Sequence, residues 1–177
     1  MKEIVPGTFI LGTFKMLSGR AVISDPCYDK IESTPAGRRI NWDMENIQTG
    51  TWEASVIKEA GRIMVLHAVY RKIIFSGLGK KMKFKQVPVT IGVDSGQAGI
   101  FDAKHYRDDL VVEPKMICDI YPEEPWYSMC CKKTNSKNNA GIVPFGCVSG
   151  SGHGDGEYIL ETAEINGKTV GIQILFI

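Results

Sequence analysis

The chain contains no uninterrupted apolar stretch long enough to span a bilayer, and its first residues, Met1-Lys2-Glu3-Ile4-Val5-Pro6-Gly7, hold no apolar run of signal-peptide length. The expectation is a soluble, cytoplasmic protein with no membrane contact. Surplus charge is also scarce: Lys+Arg 21 against Asp+Glu 20 leaves a formal net charge of +1, which argues against binding duplex nucleic acid through global basicity. The five cysteines, Cys27, Cys118, Cys130, Cys131 and Cys147, are odd in number and include no C-x-x-C pair, so neither a disulfide scaffold nor a zinc ribbon is indicated. Internal repeats, low-complexity tails and a complete G-x-x-x-x-G-K-[ST] phosphate loop are absent too. No motif calls for a cofactor or a resident metal.

What the chain does have is β patterning. Thr8 to Phe14 and Arg20 to Ser24 flank Leu17-Ser18-Gly19 and read as a hairpin, and Trp52 to Lys58 with Arg62 to Tyr70 read as another across Glu59-Ala60-Gly61. In the last of these runs both alternating faces are apolar, which marks a central strand. Val87 to Val93 is expected to return through Asp94-Ser95-Gly96-Gln97 into Ala98 to Phe101. Tyr158 to Ile165 and Thr169 to Phe176 bracket Asn166-Gly167, whose residue types suit the two positive φ angles of a type I′ turn. Helix is sparse: Ala103 to Leu110, with Asp102 as its N-cap, and Trp126 to Lys132 are the two candidates. Residues 29–46 read as a surface excursion. The fold class expected is mostly β, over residues 1–177 as one domain: a twisted two-sheet or strongly bent antiparallel arrangement with one or two short helices.

Charge is segregated along the chain. Arg71 to Gln86 contains six basic residues and no acidic one, whereas Asp108 to Glu124 contains six acids and only Lys115 against them. The molecule is therefore expected to carry one anion-attracting face. Within the basic run, Lys80 and Lys81 read either as part of a solvated hairpin or as a phosphate-attracting lip.

Three bends carry candidate chemistry. In Ser24-Asp25-Pro26-Cys27-Tyr28, Asp25 either accepts from a ligand or closes an Asx turn before Pro26. Cys27 has no base beside it in sequence, which favours a buried thiol over a nucleophile. In Gly92-Val93-Asp94-Ser95-Gly96-Gln97-Ala98-Gly99-Ile100-Phe101-Asp102, backbone amides could line up for an anion, while Asp94 also suits a plain turn. In Ser149-Gly150-Ser151-Gly152-His153-Gly154-Asp155-Gly156-Glu157-Tyr158, alternating glycines let the chain curl and bring Ser151, His153 and Asp155 together, or simply form a demanding turn. The last segment lacks the carboxylate spacing of an EF-hand. A metal shared by Cys130, Cys131 and His153 is disfavoured against buried small thiols.

These three motifs, with the closing Gly171-Ile172-Gln173-Ile174-Leu175-Phe176, resemble the bacterial and bacteriophage family catalogued as domain of unknown function 4241. The resemblance implies a bacterial or phage cytosolic protein with a β-rich fold, and supplies no activity. In that pattern an aromatic residue often stands where this chain has His153, which weighs against catalysis by His153.

If the bends converge, they would form a pocket of backbone donors with Asp25, Asp94, Ser95, Gln97, Ser151, His153 and Asp155. Tyr28, Trp126 and Tyr127 would wall it, and Lys80 and Lys81 would edge it. Such a mixture suits a small phosphorylated or nucleotide-like ligand. The function expected is non-enzymatic ligand binding, with sequestration of a nucleotide-derived host defence signal as its concrete form in a phage setting. Two alternatives stand beside it. One is a metal-assisted hydrolase using Asp25, Asp94, His153 and Asp155. The other is an inhibitor or immunity-like module presenting its acidic segment to a basic partner. A homo-oligomer is compatible with each.

Overall fold

The structure is a computed structural model that describes residues 2–5, 7–29 and 41–177. The first half of the chain forms β1 (Lys2–Val5), β2 (Thr8–Met16), β3 (Ala21–Ser24), β4 (Trp42–Met44), β5 (Gly50–Glu59), β6 (Arg62–Tyr70) and the short α1 (Arg71–Phe75). The second half forms β7 (Lys85–Val93), β8 (Gln97–Asp102), α2 (Pro125–Thr134), β9 (Ala140–Val143), β10 (Gly146–Gly150), β11 (Gly156–Ile165) and β12 (Lys168–Leu175). Most of the excursion expected over 29–46 lies outside the described residues, and β4 lies inside its last part.

The fold is mostly β, as the patterning implies. Two antiparallel sheets, neither closed into a barrel, run in the orders β1-β2-β5-β6-β12-β11-β7 and β4-β3-β8-β10-β9. Their facing sides share one core, in which Trp52, Ala54, Val56, Leu66, Ile172 and Ile174 of the larger sheet meet Ala21, Ile23, Ala98, Ile100 and Cys147 of the smaller. The opposite side of the smaller sheet is buried as well: Val22, Phe101 and Val148 pack under Trp126, Met129 and Cys130 of α2. Covering on both sides explains why β3 and β8 are buried at every position and read as continuous apolar runs rather than alternating ones. On the outer side of the larger sheet, Ile73 of α1 joins Val69 and Val170, with Met82 and Phe84 against them. His67 lies under the Phe84 ring at 5.3 Å, and burial lowers its pKa to about 4, so it is neutral in the folded protein near pH 7.

Several expectations hold. The β5–β6 hairpin turns at Ala60 (φ 48°) and Gly61 (φ 80°), β6 is the fourth of seven strands, and β11–β12 turns at Asn166 (φ 52°) and Gly167 (φ 74°). Trp126 to Lys132 lies inside α2, with Pro125 opening it at a position whose N–H would have no helical partner.

Two expected hairpins are overturned. β2 and β3 belong to different sheets, and so do β7 and β8, so the turns at Leu17–Arg20 and Asp94–Gly96 are corners that carry the chain from one sheet to the other. Ala103 to Leu110 is not an α-helix; it holds 3₁₀ turns at Ala103–His105 and Asp109–Val111, although Asp102 does cap the first by accepting from the Lys104 N–H at 3.1 Å. The basic segment is α1 followed by a 3₁₀ turn at Leu78–Lys81, not a hairpin.

Each corner is clasped by a buried aspartate. Asp102, at the end of β8 and 0% exposed, accepts at Oδ2 from the N–H groups of Leu17 (2.6 Å) and Ser18 (2.8 Å) and from Ser18 Oγ (3.0 Å). Hydrogen bonds to an ionised acceptor contribute roughly 1.5–3 kcal/mol each, and an amide left buried without one costs a comparable amount. Asp102→Asn, which replaces one acceptor oxygen by a donor, is expected to lower stability by about 3 kcal/mol in urea unfolding with an unchanged denaturant slope. A loss below about 0.5 kcal/mol, the scale of an ordinary surface change, would show that the clasp carries no load.

Candidate functional site

At the other end of the same strand pair, Asp25 follows β3 directly and is likewise 0% exposed. Pro26 fixes the backbone behind it, so the carboxylate faces the β7–β8 corner. Its Oδ2 accepts from the N–H groups of Asp94 (2.9 Å) and Ser95 (2.7 Å), and its Oδ1 accepts from Ser95 Oγ (2.6 Å) and the Cys27 N–H (2.9 Å). Of the two readings of Asp25, the Asx turn is present, while the oxygens expected to meet a ligand are taken up by the β7–β8 corner, and Asp25 does not line the open groove beside that corner. The Tyr28 hydroxyl donates to Asp94 Oδ2, adding a second link between the two bends. Burial first, and the Asp94 carboxylate second, push the Tyr28 pKa up.

The glycine-rich bend joins them through its backbone. Ser151 N–H donates to the Gly96 carbonyl at 2.9 Å, and Gly150 N–H donates to the Asn139 carbonyl at 2.8 Å. A Cβ on Gly152 (φ +70°) would sit 2.0 Å from the Ile63 carbonyl oxygen, so only glycine lets this bend rest against the start of β6. The three bends expected to share one place do so.

Between them and α2 lies an open groove of about 620 Å³. Asp94, Ser95, Gln97 and Cys27 line one side; Tyr127, Cys131, Thr134 and Asn135 of the α2 region line another; Ile120, Tyr121, Asn139 and Gly150 complete it. The Tyr121 and Tyr127 rings lie 5.2 Å apart and tilted, forming a continuous aromatic wall. Gln97 is internally committed, donating to Cys131 Sγ (3.4 Å) and accepting from Thr134 Oγ1 (3.0 Å). Among the described residues, Asp94 is the one charged side chain in the lining, and no lysine or arginine contributes to it.

Other expected site residues are elsewhere. Trp126 is 2% exposed and packs edge-on against Phe101 (4.9 Å) and Tyr106 (5.0 Å), because consecutive helical residues point about 100° apart and Tyr127 takes the groove side. Ser151 is buried with its Oγ donating to the Gly154 carbonyl at 2.5 Å, while His153 and Asp155 are exposed and outside the groove. Lys80 sits beyond the far end of β6, roughly 25 Å of strand from the glycine-rich bend, and Lys81 belongs to the same turn. Neither edges this groove.

Tyr121, Asn135 and Asn139 were not singled out in the sequence. Tyr121 (φ 50°) and Asn139 (φ 53°) both adopt the left-handed conformation, and the Asn138-Asn139 pair before Ala140-Gly141 is the one local signal that could have marked a turn there.

The donor set does not favour a metal. Both Asp25 oxygens already accept protein hydrogen bonds, and among the described residues no three His, Cys, Asp or Glu side chains gather closely enough to hold an ion. Among them, too, no helix is long and apolar enough to cross a membrane. Searches against protein-family models, curated proteins and solved structures find no match to this chain.

The groove thiols are poor nucleophiles. Burial first, and then the Asp25 charge, push the Cys27 thiol well above the ordinary range, and burial raises Cys131. Iodoacetamide at about pH 8, near the ordinary thiol pKa, is expected to alkylate Cys27 at least tenfold more slowly in the folded protein than in urea, followed by peptide mass mapping. Equal rates in the two states would contradict this account of the thiol.

Proposed function

We propose that the protein is a non-enzymatic binder of a small nucleotide-like ligand, and that the groove beside Asp94 takes the nucleoside part. The observation that carries this reading is the composition of the groove wall. Two adjoining tyrosine rings offer a stacking surface, Asn135 offers a neutral hydrogen-bonding group, and Asp94 offers an acceptor to an amino-bearing heterocycle. Because no described lysine or arginine lines the groove, this version takes recognition of the ligand from its heterocycle rather than from its phosphate. The phosphate lip expected from Lys80 and Lys81 has no part in this version. In the phage setting implied by the motif resemblance, the ligand would be a nucleotide-derived host defence signal held out of circulation.

Binding without turnover fits the residues present. Burial raises the pKa of Cys27 and so favours its neutral thiol, and among the described residues the lining carboxylate of Asp94 has no second acid opposite it. The hydrolase alternative would need Asp25 to exchange its four internal donors for a cation.

Calorimetric titration with adenosine, guanosine, cyclic nucleotides and ADP-ribose tests the reading. At least one is expected to bind at a single site and be recovered unaltered. Tyr127→Ala is expected to weaken that binding about tenfold, the scale of one aromatic stacking contact. Silence from all four classes, or conversion of the bound compound, would overturn it.

A further inference from the structure

Six of the eight large apolar side chains that are exposed among the described residues fall within the two oppositely charged segments. On the outer side of the larger sheet, Ile74 (42% exposed), Phe75 (71%) and Leu78 (39%) form an apolar knob on α1 and the turn after it. Exposed Arg71, Lys72, Lys80, Lys83 and Lys85 surround it, and the Arg71 guanidinium lies 5.1 Å from the Phe75 ring centre. In the acidic segment beside α2, on the outer side of the smaller sheet, the outward apolar side chains are Leu110 (95% exposed) on the Asp109–Val111 turn, and Ile120 (44%) and Tyr121 (49%). Asp109, Glu113, Asp119, Glu123 and Glu124 are exposed in the same segment, with Glu113 paired to Lys115 at 2.7 Å. Hydrogen bonds hold this second surface together: Asp109 accepts from the Trp126 N–H at 2.9 Å, and Arg107 donates to Glu124 at 2.9 Å.

We infer that the two surfaces are complementary halves of one head-to-tail contact, and that the partner of the basic knob is the acidic face of a second copy of this chain. Three outward apolar side chains within each of two oppositely charged segments are what a contact between copies would cover. Opposite charge around matching apolar centres sets both attraction and orientation. The surfaces belong to opposite outer layers of the fold, so they cannot satisfy each other within one molecule. An anionic lipid surface would match the knob but leave the acidic face uncovered; another copy matches both. Such a contact is heterologous, so each added molecule presents a fresh knob and a fresh face, and growth continues unless a ring closes.

Light scattering and sedimentation velocity over a concentration series provide the test. Mass is expected to rise with concentration at about 0.01 M salt and to fall back towards the monomer at about 1 M, as the screening length drops from roughly 30 to 3 Å. Phe75→Glu and Leu110→Lys each change an outward-facing side chain, so their circular dichroism is expected to match the parent. Each alone is expected to weaken self-association at least about tenfold. Mixed in equal amounts they are expected to form a heterodimer and stop there, because the first variant keeps an intact acidic face and the second an intact knob. A parent chain that is monomeric at every concentration, a mixture that does not pair, or a dimer that survives both substitutions would overturn the inference. A monomer that sediments with anionic vesicles through Phe75 would also overturn it and assign the knob to lipid.

Discussion

Two adjacent antiparallel strands, β3 and β8, each end in a buried aspartate that clasps the corner leading into the other. Asp25 closes β3 and holds Asp94 and Ser95 ahead of β8; Asp102 closes β8 and holds Leu17 and Ser18 ahead of β3. Because both corners carry the chain between the two sheets, these carboxylates fix how the sheets face each other at two points, one at each end of the strand pair. A buried carboxylate left without donors would cost several kcal/mol, so each corner must close fully for the core to form. The apolar core supplies the bulk of the stabilisation, and the clasps choose which arrangement of the sheets receives it.

The groove follows from one of these clasps. With its N–H groups and hydroxyl turned towards Asp25, the Asp94–Gly96 corner leaves the Asp94 carboxylate on the outer side, within reach of Tyr28 and of any occupant. Its Gly96 carbonyl then anchors the glycine-rich bend. α2 brings Tyr127 and Asn135 across the gap because its opposite side is committed to Phe101 and Tyr106. The groove is thus bounded largely by residues already engaged in structural polar contacts. Tyr121 belongs both to the aromatic wall and to the acidic face, so an assembled chain would bring a neighbour to the mouth of the groove.

Local chemistry was legible wherever the partner of a turn lies close in sequence. Asn166-Gly167 and Ala60-Gly61 determine their hairpins because positive φ and short strand spacing set the register on the spot. Leu17-Ser18-Gly19 and Asp94-Ser95-Gly96 carry the same residue types but mark corners, and the difference rests on carboxylates about seventy to eighty-five positions away. That the three acidic or glycine-rich bends meet could be suspected from composition, but that Asp25 spends both oxygens inside the protein, rather than on a ligand, depends on an amide pair about seventy positions away. The direction of Trp126 was not legible, since one helical step separates the core side from the groove side. Nor was the remoteness of Lys80, which depends on where β6 lies in the sheet.

Native-state hydrogen exchange tests the reciprocal clasps most directly. The amides of Leu17, Ser18, Asp94 and Ser95 lie in turns, where exchange is ordinarily fast, yet the account predicts that they open only with global unfolding, at the same free energy as Ile100 in the middle of β8. Turn-like exchange at these four amides, while Ile100 stays protected, would show that the corners open freely and that the aspartates do not hold the two sheets together.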